Sequence, residues 1–273
     1  MTRIIKIGGN ELNTPGFLEE LARQIVIVAA GEPLIVVHGG GQEIATLQTR
    51  LGIEPVKIDG LRVTDAESLA VAQMVLSGHT NKAIVRAFLA AGLDAVGFSG
   101  VDGGLLRCRK KQHPTADLGL VGEIISVRAD FLAHFAALGI IPVISPISLG
   151  EDGQTYNVNA DEAAGAIAQA LSAGVLDFVS NVPGVLLDGG VLPHLTSPQA
   201  ERLIGSGVVS GGMIPKVRTA LEAVGRGVPQ VRIVNLAGLG SGGGTMFGDE
   251  QWALDSGQWA EESEKAKPVG ERG

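Results

Sequence analysis

Two lysines stand where the surrounding sequence makes a positive charge costly. Lys6 lies inside the apolar run RIIKI, shortly before Gly8 and Gly9, and a buried ammonium group is unfavourable unless an anion meets it. Lys216 follows Pro215 in SGGMIPKV, in the predicted first turn of a helix, where the helix dipole disfavours a cation. A bound phosphate would reverse that effect, so the pair indicates phosphate chemistry; without a phosphate, Lys216 is a solvated surface lysine.

An acidic partner for these lysines is available in the stretch YNVNADEAAGAIAQAL, residues 156–171. Asn159 and Glu162 have the Asn-x-x-Glu spacing of a capping box, and an apolar stripe follows at helical spacing. The pattern therefore predicts a helix that begins near Asp161. Asp161 itself either complements the helix dipole or is the carboxylate that a buried lysine needs.

Three glycine-rich turns follow predicted strands, at Gly8–Asn10, His38–Gln42 and Ser99–Gly104. Glycines at the carboxyl end of a parallel strand let backbone N–H groups approach an anion, although plain tight turns use the same residues. None of the three has the Walker A or GxGxxG spacing. His38, just before three glycines, is either an active-site group or a hydrogen-bonded structural residue, and its place at the end of a buried strand favours the structural role. We expect GSGGGTMF at 240–247 to be a loop leading into an edge strand.

The elements that must position these residues are short apolar strands alternating with helices. The predicted strands are RIIKI, PLIVV, DAVGF, GIIPVIS, VLDFVSN and QVRIVN, and their near-continuous apolar character indicates a parallel sheet covered on both faces. Helical periodicity predicts helices over Pro15–Ala30, Glu43–Leu51, Ala66–Leu76, Lys82–Ala91, Phe131–Leu138, Glu162–Ser172, Pro198–Ile204 and Val217–Val224. Residues Leu105–Val127 are expected to form antiparallel strands and loops. A (β/α)8 barrel is the alternative, which this interruption and the uneven unit lengths disfavour.

Composition restricts the function classes. The 273 residues are 45 % apolar and 18 % charged, with a net charge of −8, which argues against a protein that binds nucleic acid or anionic membrane. The single cysteine, Cys108, excludes an internal disulfide and a cysteine-built metal site. We find no signal-peptide pattern and no apolar run of roughly 20 residues, and therefore expect a cytoplasmic protein.

Six motifs occur in an order that resembles a known family. They are KIGG at 6–9, HGGG at 38–41, GLRVTD at 60–65, YNVNADEAAGAIA at 156–168, SNVPGVL at 180–186 and SGGMIPKV at 210–217. From about Ile4 to Phe247 the chain resembles the N-acetylglutamate kinases of the amino acid kinase superfamily. The resemblance implies a three-layer αβα sandwich with an open, mainly parallel sheet. It also implies a reaction of ATP with N-acetyl-L-glutamate to give ADP and N-acetylglutamyl 5-phosphate, a step of arginine biosynthesis.

The resemblance assigns catalytic roles by motif position. Lys6 and Lys216 match the lysines that stabilise the transferring phosphoryl group, and Asp161 matches the aspartate that holds both. Gly8 and Gly9 match the first phosphate-binding turn. Mg²⁺ is expected to arrive with ATP, held chiefly by phosphates and water, without a metal site of the protein's own.

The resemblance also assigns the residues that bind substrates. The acyl-amino-acid site matches Gly40, Gly41, Arg62 and Asn157. The ATP segments match Asn181, Val182, Pro183, Gly184, Val185 and Leu186, and also Val208, Val209 and Ser210. Many family members have aspartate where this chain has Asn181, so the polar detail of nucleotide binding is expected to differ here.

Domains and assembly follow from the same resemblance. Residues 1–174 would form an acyl-amino-acid-binding and dimerisation domain, residues 175–248 an ATP-binding domain, and residues 249–273 a polar, poorly ordered tail. The first predicted strand starts at Arg3, without the N-terminal helical extension of the arginine-inhibited hexamers. We therefore expect a homodimer without strong arginine feedback.

Two alternatives stay open. Close relatives phosphorylate N-acetyl-aminoadipate, or an aminoadipate joined to an acidic carrier protein, in lysine biosynthesis. SNVPG and the basic RCRKK at 107–111 are compatible with that branch, whereas NVNADEAAGAIA is more similar to the acetylglutamate branch. A non-catalytic amino-acid- or nucleotide-binding regulator on the same scaffold is disfavoured by the intact set of Lys6, Asp161 and Lys216.

Overall fold

The computed structural model describes residues 1–9, 11–58 and 60–248. The strands are β1 (Arg3–Ile7), β2 (Leu34–His38), β3 (Lys57–Ile58), β4 (Leu61–Arg62), β5 (Ala95–Ser99), β6 (Leu106–Lys110), β7 (Gly122–Val127), β8 (Ile141–Ser145), β9 (Ile147–Gly150), β10 (Thr155–Asn157), β11 (Val175–Ser180), β12 (Leu186–Leu187), β13 (Gly190–Val191), β14 (His194–Thr196), β15 (Gln230–Asn235) and β16 (Thr245–Gly248). The helices are α1 (Phe17–Ala29), α2 (Gly41–Arg50), α3 (Ala66–Gln73), α4 (Asn81–Ala90), α5 (Ala129–Ala137), α6 (Ala160–Ala170), α7 (Ser197–Gly205), α8 (Met213–Gly225) and α9 (Leu236–Leu239). The predicted helices and strands are confirmed, with one difference: a π-helical segment, Met74–Thr80, joins α3 to α4, where the sequence predicts two separate helices.

The main sheet has eight strands in the order β14-β16-β15-β11-β1-β2-β8-β5. The strands from β15 to β5 in this order are parallel, whereas β16 runs antiparallel to β15 and parallel to β14. The sheet is open, with β14 and β5 at its edges, so the barrel alternative is wrong. The prediction that GSGGGTMF leads into an edge strand is also wrong, because β14 covers the outer side of β16.

A second sheet has four strands in the order β10-β9-β6-β7. Its β6 and β7 are antiparallel, which confirms the prediction for Leu105–Val127. The described residues also contain two short antiparallel pairs, β3 with β4 and β12 with β13.

Apolar side chains on the two faces of the main sheet bury two layers of helices. On one face, Ile4 and Phe178 belong to a core cluster with residues of α5, α6, α7 and α8. On the other face, Ile5 and Val179 pack with residues of α1, α4 and α9. Because successive strand residues point to opposite faces, Lys6 lies on the same face as Ile4, towards α6. This arrangement is the three-layer αβα sandwich that the family resemblance implies, and it confirms the predicted parallel sheet covered by helices on both faces.

The main sheet is continuous across the predicted domain boundary at residue 174. Strand β1 pairs with β2 on one side and with β11 on the other, and the division into two domains stays a prediction. The predicted tail, 249–273, lies outside the described residues. Within the described ranges, no helix combines the length and apolar character that crossing a membrane requires.

Candidate active site

Two neighbouring cavities lie near the carboxyl ends of β1 and β2, in the crevice where open α/β sheets usually bind ligands. The first, which we call the lysine cavity, has a volume of about 290 Å³ and is lined by Lys6, Asp161 and Lys216. The second, the arginine cavity, has a volume of about 220 Å³ and is lined by Arg62 and other residues. Asp161 and the turn 39–41 line both cavities, so the two meet at that shared wall.

Gly9 has to be a glycine because two backbone turns touch there. A Cβ atom on Gly9 would lie 2.6 Å from the nitrogen of Gly41 and 2.7 Å from that of Gly40, closer than non-bonded atoms approach. The turn after β1 therefore packs directly on the turn after β2, and Gly8 and Gly9 line the lysine cavity. Adjacent glycine turns bring backbone N–H groups together in the way that an anion requires. Asn10, the last residue of the predicted first turn, lies outside the described residues.

The structure brings the charge of Lys6 against that of Asp161. The Lys6 Nζ lies 2.8 Å from Asp161 Oδ1, and the two side chains are 14 % and 33 % exposed. Asp161 Oδ1 is buried without a hydrogen bond of acceptable geometry. The contact is therefore an ion pair held by charge rather than by a directional hydrogen bond.

The start of α6 places Asp161 at this point. The Asn159 side-chain oxygen accepts hydrogen bonds from the backbone N–H of Asp161, at 2.7 Å, and from that of Glu162, at 3.3 Å. The other half of the predicted capping box is wrong, because the Glu162 carboxylate accepts a hydrogen bond from the Lys111 ammonium instead. A carboxylate in the first turn also complements the helix dipole, so Asp161 fits both interpretations offered by the sequence.

Lys216 reaches the lysine cavity from the first turn of α8. Its ammonium donates hydrogen bonds to Ser180 Oγ and to Asn181 Oδ1, the latter at 3.2 Å. Among the described residues, Lys216 makes no ion pair with Asp161. Of the two lysines that Asp161 is predicted to hold, it pairs with Lys6. The roles of the three residues in catalysis stay predictions.

Three polar residues of the lysine cavity, Glu11, Ser180 and Thr219, are absent from the predicted site. Burial lowers the pKa of Lys216, and the negative charge of Glu11 is the largest effect that raises it. Glu11 lies in a short 3-10 turn after the first glycine turn, and nothing in its local sequence marks it. Ser180 could have been identified, because it ends β11 next to the strand that carries Lys6.

The arginine cavity collects the four residues predicted for the acyl amino acid, Gly40, Gly41, Arg62 and Asn157. The Arg62 guanidinium donates to Gln48 Oε1 at 2.5 Å and to the Gly41 carbonyl at 2.8 Å. These contacts fix it against the second glycine turn, and burial lowers the pKa of Arg62. The guanidinium has five N–H donors, so further donors remain for a ligand.

Of the first predicted ATP segment, Asn181 is the member that lines the lysine cavity within the described ranges. The segment continues through Val182, Pro183 and Gly184. Val185 is then buried in the core, whereas Leu186 is exposed and begins the β12–β13 hairpin. The Val185 N–H donates to the hydroxyl of Thr245 at 2.8 Å, and its carbonyl accepts from the Leu192 N–H at 2.8 Å. Val185 therefore anchors the segment, and contact of this segment with ATP stays a prediction.

The second predicted ATP segment lies between α7 and α8. Val209 is buried and its N–H donates to the Leu203 carbonyl at 3.0 Å, whereas Val208 and Ser210 are exposed. Within the part of the chain that the structure describes, none of the three lines the lysine cavity. The segment leads directly into the helix that carries Lys216, and its contact with ATP also stays a prediction.

His38 is buried at the end of β2, where it supports the second glycine turn. Its Nδ1 lies 2.9 Å from the Gly39 carbonyl oxygen and its Nε2 lies 3.2 Å from the Asn81 side-chain nitrogen. With the proton assigned to Nδ1, the first contact is a donated hydrogen bond and the second an accepted one. Burial lowers the pKa of His38 to about 4. The neutral, hydrogen-bonded structural role expected for His38 is confirmed.

The basic cluster at 107–111 is largely neutralised within the fold. Arg109, Lys110 and Lys111 each form an ion pair with a carboxylate. This pairing favours a solvated hairpin over a docking patch for an acidic carrier protein.

Comparisons with known proteins identify the family. The amino acid kinase family model matches residues 1–235. The acetylglutamate kinase of Roseiflexus castenholzii (strain DSM 13941 / HLO8) is 54 % identical over 239 residues, which cover 87 % of this chain and 91 % of that protein. The acetylglutamate kinase of Roseiflexus sp. (strain RS-1) is 52 % identical over 251 residues, covering 92 % and 95 %. Among solved structures, smu.665 from Streptococcus mutans UA159 has a TM-score of 0.76 at 30 % identity, covering 91 % of this chain and 99 % of that one. The chain therefore belongs to the amino acid kinase family, among its acetylglutamate kinases.

Proposed function

We propose that this chain transfers the γ-phosphoryl group of ATP to the side-chain carboxylate of N-acetyl-L-glutamate, giving N-acetylglutamyl 5-phosphate and ADP in arginine biosynthesis. The main structural support is that the lysine cavity and the arginine cavity meet at Asp161 and the turn 39–41. Phosphates bound in one cavity and an acyl amino acid bound in the other would bring their reacting groups to this shared wall. The acetylglutamate kinases similar to the chain over most of its length support the same reaction.

The chemistry needs positive charge and alignment rather than a general base. The acceptor carboxylate is ionised at neutral pH, so no proton has to be removed before it attacks phosphorus. The obstacle is the approach of one anion to another, through a transition state with charge spread over the phosphoryl oxygens. Preorganised cations and backbone amides lower the barrier for such a reaction.

The two lysines divide this electrostatic task. Lys6 lines the lysine cavity and pairs with Asp161, which lies on the shared wall, so Lys6 would face the phosphoryl oxygens on the acceptor side. Lys216 enters from α8 and contacts Asn181, and would face the leaving ADP. Asp161 would orient Lys6 between turnovers, while Gly8 and Gly9 would supply amide donors to phosphate oxygens.

Arg62 and Asn157 would hold the acceptor. The planar fork of an arginine matches a carboxylate in a bidentate manner, so Arg62 is suited to the α-carboxylate of N-acetylglutamate. Apolar side chains that include Ile44, Leu76 and Val121 line the same cavity. They would contact the methylene groups and the acyl methyl group.

We propose Mg²⁺ as a companion of ATP. Among the described residues, no group of three or more His, Cys, Asp and Glu side chains could hold a metal ion by itself. Mg²⁺ bound through one or two carboxylates, substrate phosphates and waters is the common arrangement in kinases, and Glu11 and Asp161 are carboxylates of the lysine cavity that fit this role. The ion supplies charge neutralisation on the phosphates when it is bound.

We further propose a homodimer in the cytoplasm. Strand β5 is the last strand of the main sheet, and an aromatic cluster of Phe98, Phe131 and Phe135 lies beside it, with ring centroids 5.1 to 5.3 Å apart. A sheet edge beside half-buried aromatic side chains supports pairing with a second copy. Sedimentation equilibrium tests the dimer.

The buried free thiol of Cys108 is compatible with a reducing compartment such as the proposed cytoplasm.

An ADP-release assay with hydroxylamine trapping of the acyl phosphate tests the proposed reaction. The acceptors are N-acetyl-L-glutamate, N-acetyl-aminoadipate and a carrier-linked aminoadipate, and we expect the highest kcat/KM for N-acetyl-L-glutamate. A higher kcat/KM with either aminoadipate compound would assign the chain to lysine biosynthesis. Absence of ADP release with all three would favour a non-catalytic regulator.

A further inference from the structure

Leu76 lines the arginine cavity beside the turn 39–41, which the two cavities share. Its side chain is 2 % exposed and lines the cavity. Its Cδ2 lies 2.6 Å from the position that a Cβ on Gly40 would take. Leu76 therefore packs directly on the backbone of the turn shared by the two cavities.

The helix that carries Leu76 is π-helical at this point, over Met74–Thr80. π-Helical segments occur frequently at functional sites. Thr80, at the end of the same segment, places its hydroxyl 3.5 Å from the same Cβ position beside Gly40. That hydroxyl is buried without a hydrogen-bond partner. The segment thus brings both Leu76 and a buried polar atom to the backbone of Gly40.

The two ends of the proposed acceptor site are fixed relative to each other. Arg62, which would bind the α-carboxylate, donates a 2.8 Å hydrogen bond to the Gly41 carbonyl, and Gly41 belongs to the turn that the reacting carboxylate must reach. The distance between the two binding groups cannot increase without breaking this contact. The chain of an acceptor with one additional methylene would therefore have to bend away from the line between Arg62 and this turn, towards the cavity wall.

We propose that Leu76 is a specificity-determining residue, which excludes the longer acceptor by filling the space beside Gly40. The proposal rests on the proposed function, because it takes N-acetyl-L-glutamate as the acceptor. N-Acetyl-aminoadipate has the same polar groups and one more methylene, so the discrimination depends on side-chain volume rather than on charge. One methylene in an apolar pocket is worth a factor of about 10 to 200 in kcat/KM.

The test compares both acceptors in wild type, Leu76→Val and Leu76→Ala, by ADP release at saturating ATP. In Leu76→Ala we expect the ratio of kcat/KM for N-acetyl-aminoadipate to kcat/KM for N-acetyl-L-glutamate to rise by about tenfold or more. A smaller rise is expected in Leu76→Val, and KM for ATP should stay unchanged. The matched control is Leu69→Ala, since Leu69 belongs to the same core cluster but is not part of the lining of the arginine cavity. It should lower the melting temperature without changing the ratio.

The outcomes separate this proposal from the proposed function. An unchanged ratio in folded Leu76→Val and Leu76→Ala, or an equal rise in Leu69→Ala, would overturn the role of Leu76 while wild type still phosphorylates N-acetyl-L-glutamate. If Leu76→Ala does not fold, Leu76→Val decides the question. A wild-type protein that releases no ADP with N-acetyl-L-glutamate would instead overturn the proposed function.

Discussion

Lys6→Met removes the ammonium group at the end of β1 and keeps a long unbranched side chain in its place. Two electrostatic effects act together. The transferring phosphoryl group loses a cation, and Asp161, whose Oδ1 lies 2.8 Å from the Lys6 ammonium in the wild type, keeps an uncompensated negative charge facing the phosphates. We expect kcat to fall by at least about a hundredfold.

The size of the expected loss in kcat follows from the burial of Lys6, which is 14 % exposed. Near a protein surface, an effective dielectric constant of about 20 gives an attraction of about 4 kcal/mol between unit charges roughly 4 Å apart, such as the Lys6 ammonium and a phosphoryl oxygen. Only the part of this interaction that is stronger in the transition state than in the bound substrates raises kcat. We take that part as about 3 kcal/mol, which corresponds to a factor of somewhat more than about a hundred.

A double variant separates the two effects. Lys6→Met combined with Asp161→Asn removes the uncompensated carboxylate as well, so it should recover part of the kcat that the single variant loses. The assay is ADP release with both substrates saturating, with circular dichroism to verify folding. Lys110→Met is the control, because Lys110 pairs with the exposed Asp117, and its kcat should equal that of wild type. Wild-type-like turnover by a folded Lys6→Met protein would refute the assignment, and a double variant slower than Lys6→Met would refute the part ascribed to Asp161.

Three other residues give separate tests. Arg62→Ala should raise KM for N-acetyl-L-glutamate with KM for ATP unchanged, because its free donors would bind the α-carboxylate; an unchanged KM for the acceptor would remove Arg62 from the site. Thr245→Val should raise KM for ATP, since the Thr245 hydroxyl accepts from the Val185 N–H and donates to the Leu192 carbonyl at the base of the β12–β13 hairpin. Thr245→Ser keeps the hydroxyl and should behave as wild type, whereas equal KM values in all three proteins would contradict this role. Burial lowers the pKa of His38 from 6.5 to about 4. Between these two pH values His38 is protonated in the unfolded chain but not in the folded chain. The free energy of unfolding therefore falls by about 1.4 kcal/mol for each pH unit of acidification in this range. Between pH 7 and pH 5, urea unfolding should show His38→Gln losing about 2 kcal/mol less stability than wild type, and equal losses would contradict the assignment.

The features that the sequence predicts well are those with a local cause. The apolar run RIIKI identifies β1, and the two-residue period of a strand puts Lys6 on the face of Ile4, two residues before it. Asn159 identifies the start of α6, because a side-chain oxygen at that position satisfies the free N–H groups of the first turn, as it does for Asp161. That Lys6 and Asp161 meet is implied at the level of sequence only by the family resemblance, and the structure places them 2.8 Å apart.

The features that the sequence does not predict depend on contacts between distant segments. Glu162 has the spacing of a capping box, but an ion pair with Lys111, 51 residues away, competes for its carboxylate. The π-helical segment at Met74–Thr80 has no local signature, since its apolar residues fit an α-helical pattern equally well. The contact of Lys216 with Ser180 spans 36 residues, and helical periodicity contains no information on it.

The two lysines of the lysine cavity are unequal, and the difference bears on how the site works. Lys6 has a carboxylate partner, whereas Lys216 contacts neutral oxygens of Ser180 and Asn181. Burial lowers the pKa of Lys216, because desolvation makes its charged form less favourable than in water. A nucleotide phosphate beside Lys216 would offset that penalty. Lys6 already has the carboxylate of Asp161 as its compensating charge, and this ion pair would hold the Lys6 ammonium in place before the substrates bind.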